Sequence, residues 1–107
     1  MPTSYLTLGQ AVPTSGNSTL YTASAATVVS TIAACNTTAS AATATVYVRV
    51  GGAAAATSNA LVFQQTIPAY STSTFTLGIT LAATDVISVA AGTSGAITFH
   101  AFGSTIS

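Results

Sequence analysis

The sequence predicts an all-β fold: an antiparallel β-sandwich, jelly-roll-like, with about eight strands. Apolar and polar residues alternate along several segments, and Gly, Pro and Asn residues separate these segments at roughly the 8–12-residue spacing of sandwiches and barrels. Ala, Ser and Thr make up about half of the 107 residues, so large side chains are few. A thin core of this kind suits two packed sheets better than helices.

The clearest alternation lies in the middle of the chain. Val46, Val48 and Val50 share one face, while Tyr47 and Arg49 share the other. Alternation of apolar and polar residues every two positions, with β-branched and aromatic side chains, is typical of a half-buried strand. The large apolar residues do not recur at helical spacing. The predicted strands lie near Tyr5–Gln10, Thr19–Thr22, Thr27–Cys35, Thr43–Val50, Leu61–Ile67, Ser73–Leu81, Asp85–Ala91 and Ala96–Phe102.

The chain is expected to form a single β-sandwich domain over residues 1–107, with a short N-terminal arm over about residues 1–13. The arm precedes the first firm turn, so we expect it to be free to reach a neighbouring molecule. Two low-complexity stretches, Asn36–Thr45 and Gly51–Asn59, are interpreted as exposed connections or strand ends.

Charge is almost absent from this chain. Arg49 is the only Lys or Arg and Asp85 the only Asp or Glu, whereas an ordinary domain is roughly a quarter charged. Without a basic patch, neither a nucleic acid nor an anionic membrane is expected as a partner. No apolar run reaches the roughly 18 residues of a membrane helix. A net charge of zero also removes the self-repulsion that keeps proteins apart, so we expect surface contacts with neighbours.

Candidate catalytic groups are equally few. Asp85, His100 and Cys35 could together form a nucleophilic site if antiparallel pairing of the last two predicted strands brought Asp85 and His100 close. No oxyanion loop or flanking motif accompanies Cys35, and a free Cys is most often a small buried hydrophobe. We therefore predict that the chain is not an enzyme and has no catalytic residues and no cofactor.

A metal site is not predicted either. A closed zinc site takes four ligands, and this chain offers only three residues of the usual types. One His100 from each of three subunits remains an alternative. The favoured interpretation of His100 is an outward strand residue opposite the Ile97–Phe99 face.

The other polar groups have structural interpretations as well. Asp85 is predicted to cap a turn by accepting backbone N–H groups. For Arg49, stacking on an aromatic ring, reaching across an interface and simple solvation all stay open. The two glycosylation sequons, at Asn17 and Asn36, are interpreted as chance matches in a Ser/Thr-rich chain.

Several segments resemble a known class of proteins. Through these segments, the chain resembles small structural proteins of tailed bacteriophages, including phages of cyanobacteria. The similarity extends from about Leu8 to the C-terminus. The segments are Leu8–Gln10, Leu20–Thr22, Val29–Asn36, Leu77–Asp85 and Ala101–Ser104.

The resemblance implies a virion component built as a β-sandwich. Such proteins often act as capsid decoration or cement proteins: homotrimers on the capsid surface that bridge subunits of the major capsid protein. Others belong to tails, baseplates or fibres and contact host-surface glycans, for which Tyr70 at a loop tip is the candidate residue. The relatives carry an acidic residue near the end, where this chain has Thr105, and more charge along their polar strands.

The N-terminal arm and the outward-facing strand residues are predicted to contact neighbouring subunits. The predicted interface residues are Tyr5, Leu6, Tyr47, Arg49, His100 and Phe102.

Overall fold

A computed structural model describes residues 3–14, 17–76 and 78–106. Nine strands form two antiparallel sheets in this part of the chain. None of the described residues belongs to a helix long and apolar enough to cross a membrane. The strands are β1 (Thr3–Ala11), β2 (Ser18–Thr22), β3 (Thr27–Asn36), β4 (Ala42–Arg49), β5 (Ala60–Ile67), β6 (Thr72–Phe75), β7 (Ile79–Leu81), β8 (Val86–Ala91) and β9 (Ile97–Ile106).

The strands are arranged as a two-stranded ribbon rolled over itself. Sheet I has the order β1-β9-β3-β6, with β7 also paired with β3, and sheet II has the order β2-β8-β4-β5. The ribbon pairs β1 with β9, β2 with β8, β3 with β6 and β7, and β4 with β5. Rolling the ribbon adds the lateral pairs β3 with β9 and β4 with β8. This is a jelly-roll arrangement, and it confirms the predicted all-β sandwich.

The core lies between the two sheets and follows the period-two pattern of the strands. Phe99, Ile32 and Ile87 are fully buried, as are small residues such as Ala34 and Ala44. Burial of each large aliphatic or aromatic side chain contributes about 1.5–3 kcal/mol. The alanines leave little volume between the sheets, so a thin core forms from few large residues.

Two details of the predicted strands are wrong. The segment Ser73–Leu81 is not continuous, because β6 ends at Phe75 and β7 begins at Ile79, with Gly78 at a left-handed φ of 62° between them. Leu77, within the predicted strand Ser73–Leu81, lies outside the described residues. Val50 leaves the strand for a 3₁₀ turn (Val50–Gly52), and its side chain is 72% exposed.

The N-terminal segment is a strand over most of its length. Residues 3–11 pair with β9, from Thr3 opposite Ile106 to Ala11 opposite Phe99. The expectation of a free arm is therefore wrong for these residues, because their backbone groups form the outer ladder of sheet I. The segment remains at an edge, since β1 has β9 as its only strand neighbour in the described part of the chain.

Candidate functional site

Arg49 binds the loop that follows its own strand. Its Nε donates to the carbonyl of Ala53, and its two terminal nitrogens donate to the carbonyl of Gly52 at 3.2 Å and to Ser88 Oγ at 2.9 Å. The planar guanidinium holds several N–H donors in fixed directions, so one side chain can bind several acceptors at once. This internal loop contact was not among the interpretations of Arg49 left open by the sequence, and no aromatic ring of the described residues stacks on the guanidinium.

Asp85 binds the same loop through one carboxylate oxygen. Its Oδ1 accepts from the backbone N–H of Gly51 at 2.8 Å, and its Oδ2 accepts from Ala82 N–H at 3.0 Å. The bonds from Gly51 and Ala82 stabilise the charged carboxylate and hold the pKa of Asp85 below its ordinary value, against a smaller opposing effect of burial. The predicted turn cap is confirmed, although one of its donors comes from a distant loop.

The two charged side chains thus form one structural unit, here called the charged clasp: Arg49, Asp85 and the loop of residues 50–53. Both formal charges of the chain act on the backbone of this loop. The remaining outer surface therefore consists of hydroxyl, amide and apolar groups together with one histidine.

The outer surface of sheet I carries the histidine on β9, an inner strand of the sheet. The rings of His100 and Phe102 lie parallel, with centroids 6.0 Å apart and planes within 1°. Their strand neighbours Phe99 and Ala101 point into the core and are fully buried, which confirms that His100 faces outward. This surface, the His100 face, consists of Thr7 and Gln10 of β1, Thr98, His100 and Phe102 of β9, Thr31, Ala33 and Cys35 of β3, and Thr72 and Thr74 of β6.

The only cysteine and the only histidine lie on this same face. Cys35 pairs with Thr98 and Ala33 pairs with His100, so Cys35 and His100 are diagonal neighbours on adjacent strands. Cys35 is a half-buried free thiol rather than a core residue.

Asp85 does not join the cysteine and the histidine. Strand β8, which follows Asp85, and strand β9, which contains His100, lie in different sheets. The connection between them crosses from one layer of the sandwich to the other. The expectation that antiparallel pairing brings Asp85 close to His100 is therefore wrong. Within the described residues, no three His, Cys, Asp or Glu side chains cluster as a metal site would require.

The outer surface of sheet II is apolar at its β5 edge. Leu61 and Phe63 flank Val62, which pairs with Val46 and packs against the core, so both side chains point outward and are 45% and 51% exposed. Tyr47 lies on the same side of the neighbouring strand β4. These three residues form the Phe63 face. Sequence reasoning did not select Leu61 and Phe63, although their spacing around the inward Val62 is a usable signal.

The predicted interface residues do not form one surface. Tyr47 and Arg49 lie on β4 of sheet II, whereas His100 and Phe102 lie on β9 of sheet I, on the opposite outer side of the sandwich. A single contact that uses all four is therefore excluded by the fold. Tyr5 and Leu6 belong to β1, and their side chains lie outside the described residues.

One end of the sandwich presents Tyr70. The residue adopts a left-handed φ of 54°, and its ring is 73% exposed. The tip is held in place because Tyr70 N–H donates to the carbonyl of Thr38 and Ser71 N–H donates to that of Pro68.

Asn36 organises the neighbouring loop. Its amide nitrogen donates to the carbonyls of Ser40 and Ile67, at 2.8 and 3.0 Å, and its oxygen accepts from Thr38 N–H at 2.9 Å. The side chain is almost fully buried. Glycosylation of Asn36 would require these bonds to break, which favours the interpretation of its sequon as a chance match.

No protein family, no curated protein and no solved structure matches this chain. Its function is therefore inferred from its own surfaces: the charged clasp, the His100 face, the Phe63 face and the Tyr70 tip.

Proposed function

We propose that this protein is a structural component of a tailed-bacteriophage virion, most specifically a capsid decoration (cement) protein. It binds the outside of the head as a homotrimer and bridges adjacent subunits of the major capsid protein. The proposal rests on the resemblance of the sequence to small phage structural proteins and on the character of the outer surface.

The observation that carries the proposal is the internal use of both charges. The charged clasp removes Arg49 and Asp85 from the set of groups available to a partner. Apolar and aromatic side chains remain exposed, and Phe63, Tyr70 and Phe102 are among them. The central parts of protein interfaces are poor in charge and rich in aromatic residues, so this surface suits repeated contacts with protein neighbours.

A cement protein acts by adding buried contacts between capsid subunits. Because it binds only the assembled shell, it stabilises that shell by mass action, by about 2.7 kcal/mol per site when its free concentration is about 100 times Kd. Catalysis and a cofactor play no part in this mechanism.

The decisive test is cryo-microscopy of phage particles that contain this chain. We expect density for the jelly roll on the outside of the head, repeated at symmetry-related positions between capsid subunits. In parallel, particles stripped of the protein should release their genome at a lower temperature and recover when the protein is added back. Particles that carry the chain only on the tail, or not at all, would exclude a decoration role.

The exposed Tyr70 ring favours a second candidate, a tail, baseplate or fibre module that contacts a host-surface glycan. A bulky residue in the left-handed region costs about 1–3 kcal/mol and is often found at functional sites. The tip therefore holds an aromatic ring in solvent at some cost in stability. Ser40 is exposed and lies two residues from Thr38, whose carbonyl accepts from Tyr70 N–H, so its hydroxyl is available to a neutral sugar.

This second candidate is tested with a glycan array and a Tyr70→Ala variant. A tail module should bind a defined glycan and lose at least tenfold in affinity with Tyr70→Ala. The matched control is Val12→Ala, which removes another exposed apolar side chain. If the protein binds no glycan on the array and is located on the head, this candidate is excluded.

A further inference from the structure

We propose that Cys35 and His100 form a two-ligand site for a soft d¹⁰ cation of the copper(I) class. The inference does not depend on the role of the protein in a virion. It rests on the fact that the only thiol and the only imidazole of the chain meet on one face of one sheet.

The register of β3 and β9 brings the two ligands together. Thr98 lies directly opposite Cys35, and His100 is the next outward residue along β9. Diagonal neighbours on adjacent antiparallel strands have Cβ atoms about 7–8 Å apart or somewhat less. Metal bonds to thiolate sulfur and imidazole nitrogen are about 2.3 and about 2.0 Å long for zinc, and an ion with bonds of similar length spans this distance through the two side chains.

The residues paired with the two ligands are small. Ala33 and Thr98, the direct partners of His100 and Cys35, are both small. Both ligands are half-buried, so they are accessible from solvent yet partly fixed by the sheet. No hydrogen bond to another described residue occupies the thiol or the imidazole.

The donor set selects the class of metal. Thiolate ligands favour copper(I), and imidazole is an accepted ligand for copper. Two donors suffice for a d¹⁰ monovalent ion, which accepts linear coordination. A closed zinc site needs four ligands, and no third His, Cys, Asp or Glu joins the pair among the described residues.

The same geometry argues against a catalytic cysteine. A nucleophile–base pair usually has a third group that orients the base, and the only carboxylate side chain, Asp85, is instead bound to Gly51 and Ala82. The pair is thus placed to bind an ion rather than to attack a substrate.

Silver(I), a redox-inert probe for copper(I), tests the site in the purified full-length protein. We expect one ion per chain by calorimetric titration, with shifts of the His100 ring signals and the Cys35 Cβ signal in NMR spectra. Cys35→Ser and His100→Gln should each weaken binding at least tenfold. Thr74→Val, a change on the same face opposite Ala33, should leave binding unchanged.

Two results would overturn the proposal. If His100→Gln binds silver(I) as tightly as the unmodified protein, the thiol alone captures the ion. If the His100 ring signals of the unmodified protein do not move at saturation, imidazole is not a ligand. The second measurement needs no variant, so it decides the matter even if a substitution impairs folding.

Discussion

At the scale of single residues, both charged side chains bind the backbone of one loop. Arg49 donates to loop carbonyls, and Asp85 accepts loop N–H groups, so each satisfies backbone groups that a strand ladder leaves unpaired. Buried or partly buried backbone groups need such partners. The two charges of this chain therefore stabilise the folded loop by binding its backbone groups.

Asp85 makes the stability of the protein sensitive to acid. Its pKa is lower in the folded chain than the ordinary value of 3.8, so the unfolded chain binds the proton more readily. The contribution of Asp85 to stability is then constant above about pH 5, decreases as the pH falls through 3.8, and levels off below the folded-state pKa. Thermal unfolding across this range should show the decrease in the native protein.

Asp85→Asn is the matching control. Because Asp85 is the only side-chain carboxylate, the variant should unfold at a lower temperature near neutral pH and lose most of its acid dependence. An unchanged acid dependence would assign the titration to the terminal carboxyl group instead.

Gly103 is a residue at which the fold leaves no room for a side chain. A Cβ atom there would collide with the carbonyl oxygen of Val28 and lie 2.9 Å from Val29 Cα, because β9 and β3 approach closely at this point. Gly103→Ala should lower the free energy of unfolding by about 1–3 kcal/mol, the usual cost of overpacking. Urea denaturation checks this value, with Thr98→Ala on the outward side of the same strand expected to have little effect.

At the scale of elements, the connection between β4 and β5 is ordered in spite of its composition. Residues 50–59 are rich in Gly and Ala, yet the charged clasp holds one half. In the other half, Asn59 accepts from Ala56 N–H and donates to the carbonyl of Ala54. A low-complexity sequence thus becomes a defined loop through its few polar side chains.

Arg49→Met should loosen this loop while keeping the strand. The variant retains the length of the side chain but loses all three donated bonds, and we expect a stability loss of about 1 kcal/mol, since the site is partly exposed. Hydrogen exchange should accelerate at the amides of Gly51 and Ala53 more than in β4. Uniform acceleration through both sheets would instead indicate global destabilisation.

The Phe63 face lies on an edge strand without charge. Edge strands normally avoid association by charged residues, proline or bulges. β5 has a register shift and a left-handed φ of 50° at Gln64, but no charged residue. Apolar side chains therefore remain available for contact at this edge.

Phe63→Lys should reduce association at this edge without damage to the fold. The side chain is half exposed, and substitutions at exposed sites usually change stability by less than about 0.5 kcal/mol. Sedimentation or binding to shells should show the loss. Gln65→Lys adds the same charge to the same strand and keeps the apolar face, so an equal loss in that variant would point to charge rather than to the Phe63 contact.

At the scale of the whole molecule, the protein is a rolled ribbon whose outer surface is neutral. Contacts made by such a surface depend on apolar burial and hydroxyl hydrogen bonds, which salt does not screen. The lack of charge therefore predicts that these contacts persist at high salt concentration.

Under the proposed decoration function, binding to capsid shells should be insensitive to salt between about 0.01 and about 1 M, although the Debye length falls from about 30 to about 3 Å. Co-sedimentation of the protein with shells over this range is the measurement. A steep decrease in affinity with added salt would show that charged groups of the partner, together with Arg49 or Asp85, form the contact.

The alternation of side chains was sufficient to predict the β-sandwich, most strand positions and the inward residues, because period two is a local property of an extended chain. The near absence of charge could likewise be read directly. Only the tertiary structure decided that β8 and β9 lie in different sheets, that Arg49 and Asp85 meet at one loop, and that Cys35 and His100 share a face. The physical reason is that crossovers and register depend on packing between distant segments, and the partners of both charged groups are mainly backbone atoms, which leave no mark in the sequence.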